Sequence, residues 1–122
     1  MAADSEAADL MRDLWERIDA ADWDGLGELL RPDFTGEYVH TGERFDRDGF
    51  VNLNREYPGR WRARVEEILR DGQSAATRTR VSDGTSTYYV ASFGEAKDGA
   101  LLRLVEVWAD GDAQPPDGTR PG

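Results

Sequence analysis

With 122 residues the chain is long enough for one domain that buries about two-thirds of its unfolded surface. Its 25 acidic and 15 basic residues leave a formal charge of -10, which argues against nucleic acid or an anionic membrane as the main partner. There is no cysteine and a single histidine, His40, so a disulfide framework, a thiolate metal site, a cysteine nucleophile and a multi-histidine metal centre are all excluded.

No metal or cofactor is expected. No run of about 18 apolar residues is present to span a bilayer. Met1 to Asp9 is acidic and lacks the basic-then-apolar order of a signal peptide. The expectation is a cytoplasmic protein with neither a nucleic-acid nor a membrane partner.

Asp4 to Ala21 reads as a first helix. Leu10, Met11, Leu14, Trp15 and Ile18 recur at three- and four-residue steps and give one apolar stripe, with Asp4 or Ser5 as cap. A second, short helix follows Asp22 as N-cap and buries Leu26, Leu29 and Leu30, with Pro32 ending it. Gly25 and Gly27 weaken it by about 1 kcal/mol each relative to Ala, so it depends on packing. Phe34 to His40 reads as a strand interrupted by Gly36, and Thr41 to Arg44 as a loop. Asp46 caps a third helix carrying Phe50, Leu53 and Tyr57 at helical spacing, which Pro58-Gly59 stops.

From Trp61 to Trp108 the chain reads as four strands joined by Asp71-Gly72, Asp83-Gly84 and Asp98-Gly99. Asp-Gly suits the type I′ turn, whose two central residues both need positive φ. Two-residue hairpins fix the register, and with it which residues share a face. One face then carries Trp61, Ala63, Val65, Glu67, Ala76, Arg78, Arg80, Tyr89, Ala91, Phe93, Leu104, Glu106 and Trp108, which suits a lined cavity. The other carries Arg62, Arg64, Glu66, Ile68, Thr77, Thr79, Val81, Tyr88, Val90, Ser92, Leu101, Arg103, Val105 and Val107, β-branched and small through its centre with charge toward one end, which suits packing against another flat surface. A single bulge would exchange the two sets along a strand. After Trp108 the chain holds little to bury, and 110–122 is expected to be a flexible Gly/Pro/Asp tail on a single domain of residues 1–109.

Glu106 is the foremost candidate for chemistry, because a carboxylate between Leu104 and Trp108 must be either desolvated or paired. Paired with Arg78 or Arg80 it would be structural. Unpaired, it could serve as a base, with Arg80 and His40 as further catalytic candidates. His40 is of the residue type that titrates between pH 5 and 8. Trp15, Tyr38, Phe50, Asn54, Tyr57, Trp61, Arg78, Tyr89 and Trp108 are candidates to line a pocket, each also ordinary core or surface material.

Four stretches carry a resemblance: Leu14-Trp15 through Asp22-Trp23-Asp24, Leu29 to Phe34, Asn54 to Trp61, and Asp98-Gly99 running into Val105 to Trp108. In this order they resemble the SnoaL-like branch of the nuclear transport factor 2-like superfamily. The resemblance implies an α+β fold, in which a curved, antiparallel-rich mixed sheet forms a cone closed by three N-terminal helices, and a homodimer through the outer sheet face. It also implies a small hydrophobic partner molecule in the cone and, where there is turnover, isomerase, cyclase, dehydratase or hydrolase chemistry without a cofactor. A non-catalytic binding or interaction domain with a structural Arg-Glu cluster is the alternative. Against the epoxide hydrolases of that superfamily, the chain offers Tyr38-x-His40, Arg78-x-Arg80 and Glu106. The central carboxylate of their Asp-Arg-Asp arrangement is replaced by Arg80.

Overall fold

The computed structural model describes residues 6–113. In chain order these form helices α1 (Glu6–Asp19) and α2 (Trp23–Glu28), strands β1 (Leu30–Tyr38) and β2 (Glu43–Phe45), helix α3 (Arg47–Glu56), and strands β3 (Arg62–Asp71), β4 (Ser74–Ser82), β5 (Thr87–Lys97) and β6 (Ala100–Asp110). The stripe expected on α1 is the buried one, with Met11, Leu14, Trp15 and Ile18 all packed inward. Asp22 and Asp46 cap the next two helices, accepting from Gly25 N at 3.0 Å and Gly49 N at 2.8 Å. The cap expected at Asp4 or Ser5 lies outside the described residues, as does the tail beyond Ala113.

All six strands form one open sheet in the order β2-β1-β6-β5-β4-β3. β1 runs parallel to β6 while the other pairs are antiparallel, so the architecture is an α+β cone with a mixed sheet. Two local expectations are corrected. Glu43–Phe45, placed largely in a loop, pairs with Gly36–Tyr38 as a short edge strand. Pro32 does not stop a helix but lies inside β1, where the register with β6 slips between Leu30 and Thr35. A residue without an N–H is tolerated there because no ladder bond is required of it.

The register of the meander is corrected more deeply. Asp98 and Gly99 both have positive φ, 54° and 85°, and Lys97 faces Ala100 as the turn type demands. One step further in, Ala96 faces Leu101 but Glu95 faces Arg103, so Leu102 is an extra residue in β6. That bulge turns β5 and β4 over relative to β6. Phe93 faces Val105 instead of Leu104, and Val90 instead of Tyr89 faces Trp108. A second bulge between Val65 and Glu67 turns β3 back again, which leaves Ala63 and Val65 on the expected side and brings Ile68, expected on the opposite face, onto that same inner side.

The helix-covered inner face therefore carries Thr77, Thr79, Val81, Tyr88, Val90, Ser92, Leu101, Leu104, Glu106 and Trp108. Arg78, Arg80, Tyr89, Ala91, Phe93, Val105 and Val107 turn outward. Small residues on the inner side of β5 let α1 lie close to the sheet. A Cβ on Gly94 would sit 2.4 Å from the Met11 sulfur, so only glycine admits that methionine. One cross-strand row of this face is polar from β4 to β1: Thr77 faces Ser92, Ser92 faces Glu106, and Glu106 lies beside Tyr38.

Candidate active site

At the open end of the inner face is a cavity of about 660 Å³. All four tryptophans of the chain line it, Trp15, Trp23, Trp61 and Trp108, together with Tyr38, Tyr57 and Tyr88. Part of its wall is a continuous chain of rings. Tyr57 meets Trp61 at 5.7 Å between centroids, Trp61 meets Tyr88 at 5.8 Å, Tyr88 meets Trp108 at 6.2 Å and Trp108 meets Tyr38 at 6.1 Å, all tilted or edge-on. Trp61 is held by its own turn, its Nε1 donating to Pro58 O at 2.7 Å. Gly59 permits that turn, since its φ is +101° and a Cβ would lie 3.1 Å from the indole nitrogen.

Polar groups on the lining are His40, Thr41, Glu43, Asn54, Arg55, Arg60 and Asp110, besides the tyrosine hydroxyls. His40 stacks on Tyr38 at 5.7 Å but is otherwise exposed. Asn54 Nδ2 donates to Phe50 O at 2.9 Å, which fixes its amide, and its side chain also hydrogen-bonds Tyr38. Burial, then the nearby Glu106 and Glu43 charges, push the Tyr38 phenol above its ordinary range, with the Asn54 bond acting against them. Tyr38 is thus a firmly protonated donor at physiological pH. Among the described residues no cluster of three or more acidic or histidine side chains is arranged to hold a metal ion.

Glu106 is 1% exposed and lies behind the lining, not on it. Its Oε2 is 3.1 Å from the donating Ser92 Oγ and its Oε1 is 3.1 Å from Trp108 Nε1. Burial pushes its carboxyl up to about 7, against the two hydrogen bonds from Trp108 and Ser92. Arg78, the structural partner considered for it, instead meets Glu66 at 3.2 Å and Glu67 at 3.5 Å on the outer face. Arg80 is also on that face and exposed, as is Tyr89.

Of the candidates taken from the sequence, Trp15, Tyr38, His40, Asn54, Tyr57, Trp61 and Trp108 line the cavity together. Phe50 is core, tilted against Phe34 at 5.6 Å between centroids, and Arg78, Arg80 and Tyr89 are on the outer face of the sheet and not on the lining. The residues missed were Trp23, Tyr88, Glu43, Arg55, Arg60, Asp110 and the donor Ser92. Tyr88 and Ser92 were lost to the register error. Trp23, a large aromatic at the head of a six-residue helix, was itself a signal, because so short a helix cannot bury it alone.

A family model for the SnoaL-like domain matches residues 11–108. The chain belongs to the SnoaL-like domain family. Solved structures place this SnoaL-like protein among nuclear transport factor 2-like folds. A proposed ketosteroid isomerase from Kribbella flavida DSM 17836 is 29% identical, with 94% of this chain and 85% of that one covered at a TM-score of 0.83. An epoxide hydrolase of the LEH-like type from M. tuberculosis is 20% identical, over 86% of this chain and 84% of that one, at 0.73. IdmH, a proposed polyketide cyclase from Streptomyces antibioticus, is 20% identical over 83% and 90%, at 0.72. Comparison with curated proteins gave no match.

Proposed function

We propose that this SnoaL-like protein binds a small, largely apolar, ring-containing organic molecule in the cavity and performs acid-base chemistry at an oxygen-bearing carbon of it, of the isomerase, cyclase, dehydratase or hydrolase kind. One observation carries the reading: a cavity of about 660 Å³ walled by seven tryptophan and tyrosine rings, with the protonated Tyr38 hydroxyl among its polar groups. A carbonyl or enolate oxygen seated at Tyr38 would receive its hydrogen bond, and His40, stacked on Tyr38 toward solvent, would exchange the proton. Glu106 has both oxygens engaged and does not reach the lining, so its part is indirect. The names of the isomerase and cyclase neighbours are in keeping with this class of chemistry.

Because every tryptophan lines the cavity, intrinsic fluorescence reads occupancy directly. 2-Acetylnaphthalene, a neutral planar ketone, should quench it saturably and raise the thermal midpoint through linkage. Tyr38→Phe should weaken that ketone about tenfold, roughly one charge-independent hydrogen bond, and leave naphthalene itself unaffected. If neither compound perturbs the fluorescence, the binding reading is wrong. Equal loss for both would remove Tyr38 as the oxygen donor.

The outer sheet face supports a second reading, a homodimer. Leu69 is 62% exposed, Phe93 50% and Val107 39%, and Leu69 and Phe93 share one outward row with Ala76 and Val105. The arginine and glutamate pairs set among them give it self-complementary charge.

A further inference from the structure

Glu106 is a buried titratable group that no ligand in the cavity would touch, yet it is bonded to a residue that any such ligand would meet. Trp108 stands two positions along β6 on the same face, and its ring is cavity wall between Tyr38 and Tyr88. Its Nε1, a donor only, gives its hydrogen bond to Glu106 Oε1. Such a bond is roughly twice as strong to a carboxylate as to a neutral carboxyl.

The surroundings tolerate both states of Glu106. From β1 the titratable group facing it is Tyr38, with Glu43 of β2 and Tyr57 at the end of α3 lying beyond that phenol. β5 presents the Ser92 hydroxyl and β4 the Thr77 hydroxyl next in the row. On α1 the arginines are held in ion pairs of their own, Arg12 with Asp9 and Arg17 with Asp22, and on α3 Arg55 pairs with Asn52 and Glu56. When Glu106 is ionised, Ser92 donates to it. When it is neutral, its O–H donates to Ser92 Oγ across the same contact while Trp108 Nε1 still donates to the other oxygen, so both oxygens keep a partner in either state. A proton can therefore come and go without opening the fold.

We propose that Glu106 is a positioning residue that governs the cavity through Trp108, so that a ligand packed on Trp108 and a proton on Glu106 oppose one another. The ionised form holds the indole edge firmly and keeps its face presented to the cavity; the neutral form loosens it. A neutral planar ligand consequently binds more tightly as the pH rises. The ligand half of this rests on the cavity being the binding site, as proposed above; the tryptophan half does not.

The test is the pH dependence of the four ¹⁵N-indole resonances of the full chain between pH 5 and 9, with Trp108→Phe identifying the Trp108 signal. That signal should move with a midpoint near 7, stay fixed in Glu106→Gln, and in Ser92→Ala shift its midpoint upward by about one pH unit, since a bond favouring the anion is lost. The affinity of 2-acetylnaphthalene should rise about fivefold across the same range in wild type, the difference between a charge-assisted and a neutral hydrogen bond, and be flat in Glu106→Gln. A Trp108 signal that does not titrate, or that titrates equally in Glu106→Gln and so follows some other group, overturns the proposal. A titrating Trp108 with pH-independent ligand affinity overturns the coupling. A titrating Trp108 with no ligand bound at any pH confirms the positioning role and overturns the cavity as the binding site.

Discussion

Glu106→Gln tests the buried carboxyl through folding alone. In the unfolded chain Glu106 should titrate near its ordinary 4.5, whereas burial holds it up to about 7 in the folded protein. Below pH 4.5 both states are protonated and there is no penalty. Between the two values the unfolded chain ionises while the folded one does not, so stability falls as the pH rises. Above 7 the penalty is complete, at roughly 3 kcal/mol for a gap of this size, or of order 10 °C in Tm for a domain of this length. Gln preserves the two contacts, its carbonyl accepting from Trp108 and its amide donating to Ser92, but has nothing to ionise. Urea unfolding followed by tryptophan fluorescence should give similar stabilities for the two proteins at pH 4.5 and a variant more stable by about 2 to 3 kcal/mol at pH 8.5. Asp19, Asp33 and Asp83 are held below the ordinary carboxylate value by Arg62, by Arg31 and by backbone N–H groups respectively. Their contribution is lost only as the pH falls below about 4, so it does not slope across this window. Two parallel stability curves would show that Glu106 is not destabilised in its charged form, and the desolvation argument would fail.

Three further perturbations address the fold that positions the cavity. Gly94→Ala should cost about 1 to 3 kcal/mol by pushing Met11 away, and less in a Met11→Ala background, which a double-mutant cycle in urea measures. Asp19→Ala removes the bonds to Arg62 Nε at 2.8 Å and to Ala63 N at 2.9 Å that tie α1 to β3. It should cost about 1 kcal/mol at neutral pH, because the pair is largely exposed, with the difference from wild type closing as the pH falls below 3.8. Phe93→Glu should leave the domain folded and shift light scattering toward monomer, whereas Val90→Glu, at a position with 0% exposure, should abolish cooperative unfolding; the opposite pattern would restore the unbulged register.

Element order, the α1 stripe, the two Asp caps and the family were legible because each depends on a few neighbouring residues. Sidedness was not, because it accumulates along the meander: one unnoticed residue, Leu102, inverts the next two strands and part of a third. The trace of it was nevertheless in the sequence. Leu101 and Leu104 are both buried at a spacing of three, and so are Val65 and Ile68 at the second bulge, at least in part. A regular strand cannot place residues i and i+3 on one face, so apolar pairs at that spacing, with consecutive charges Glu66-Glu67 between the second pair, are the mark of an inserted residue. The choice of the aromatic side of β5 as the cavity side failed for a related reason. The face that receives a helix at close range needs Gly94, Ser92 and Val90, not Phe93 and Tyr89, and the aromatic lining comes mostly from elsewhere.

That origin of the lining bears on how one fold serves several chemistries. Of the seven rings around the cavity, Trp15 comes from α1, Trp23 from α2, Tyr57 from the end of α3 and Trp61 from the segment leading into β3; only Tyr38, Tyr88 and Trp108 stand on strands. The strand residues are fixed by ladder register and by the polar row beneath them, where a substitution would disturb Glu106, Ser92 or the α1 contact. The helix and loop residues answer to no register and can change with little cost to the sheet. Selectivity should therefore reside in Trp15, Trp23, Tyr57 and Trp61, and proton handling in Tyr38, Trp108 and the Glu106 behind it. On this division, the solved structures that keep the sheet at 20% to 29% identity share the scaffold that fixes the strand positions, and the fold by itself leaves the helix and loop positions open.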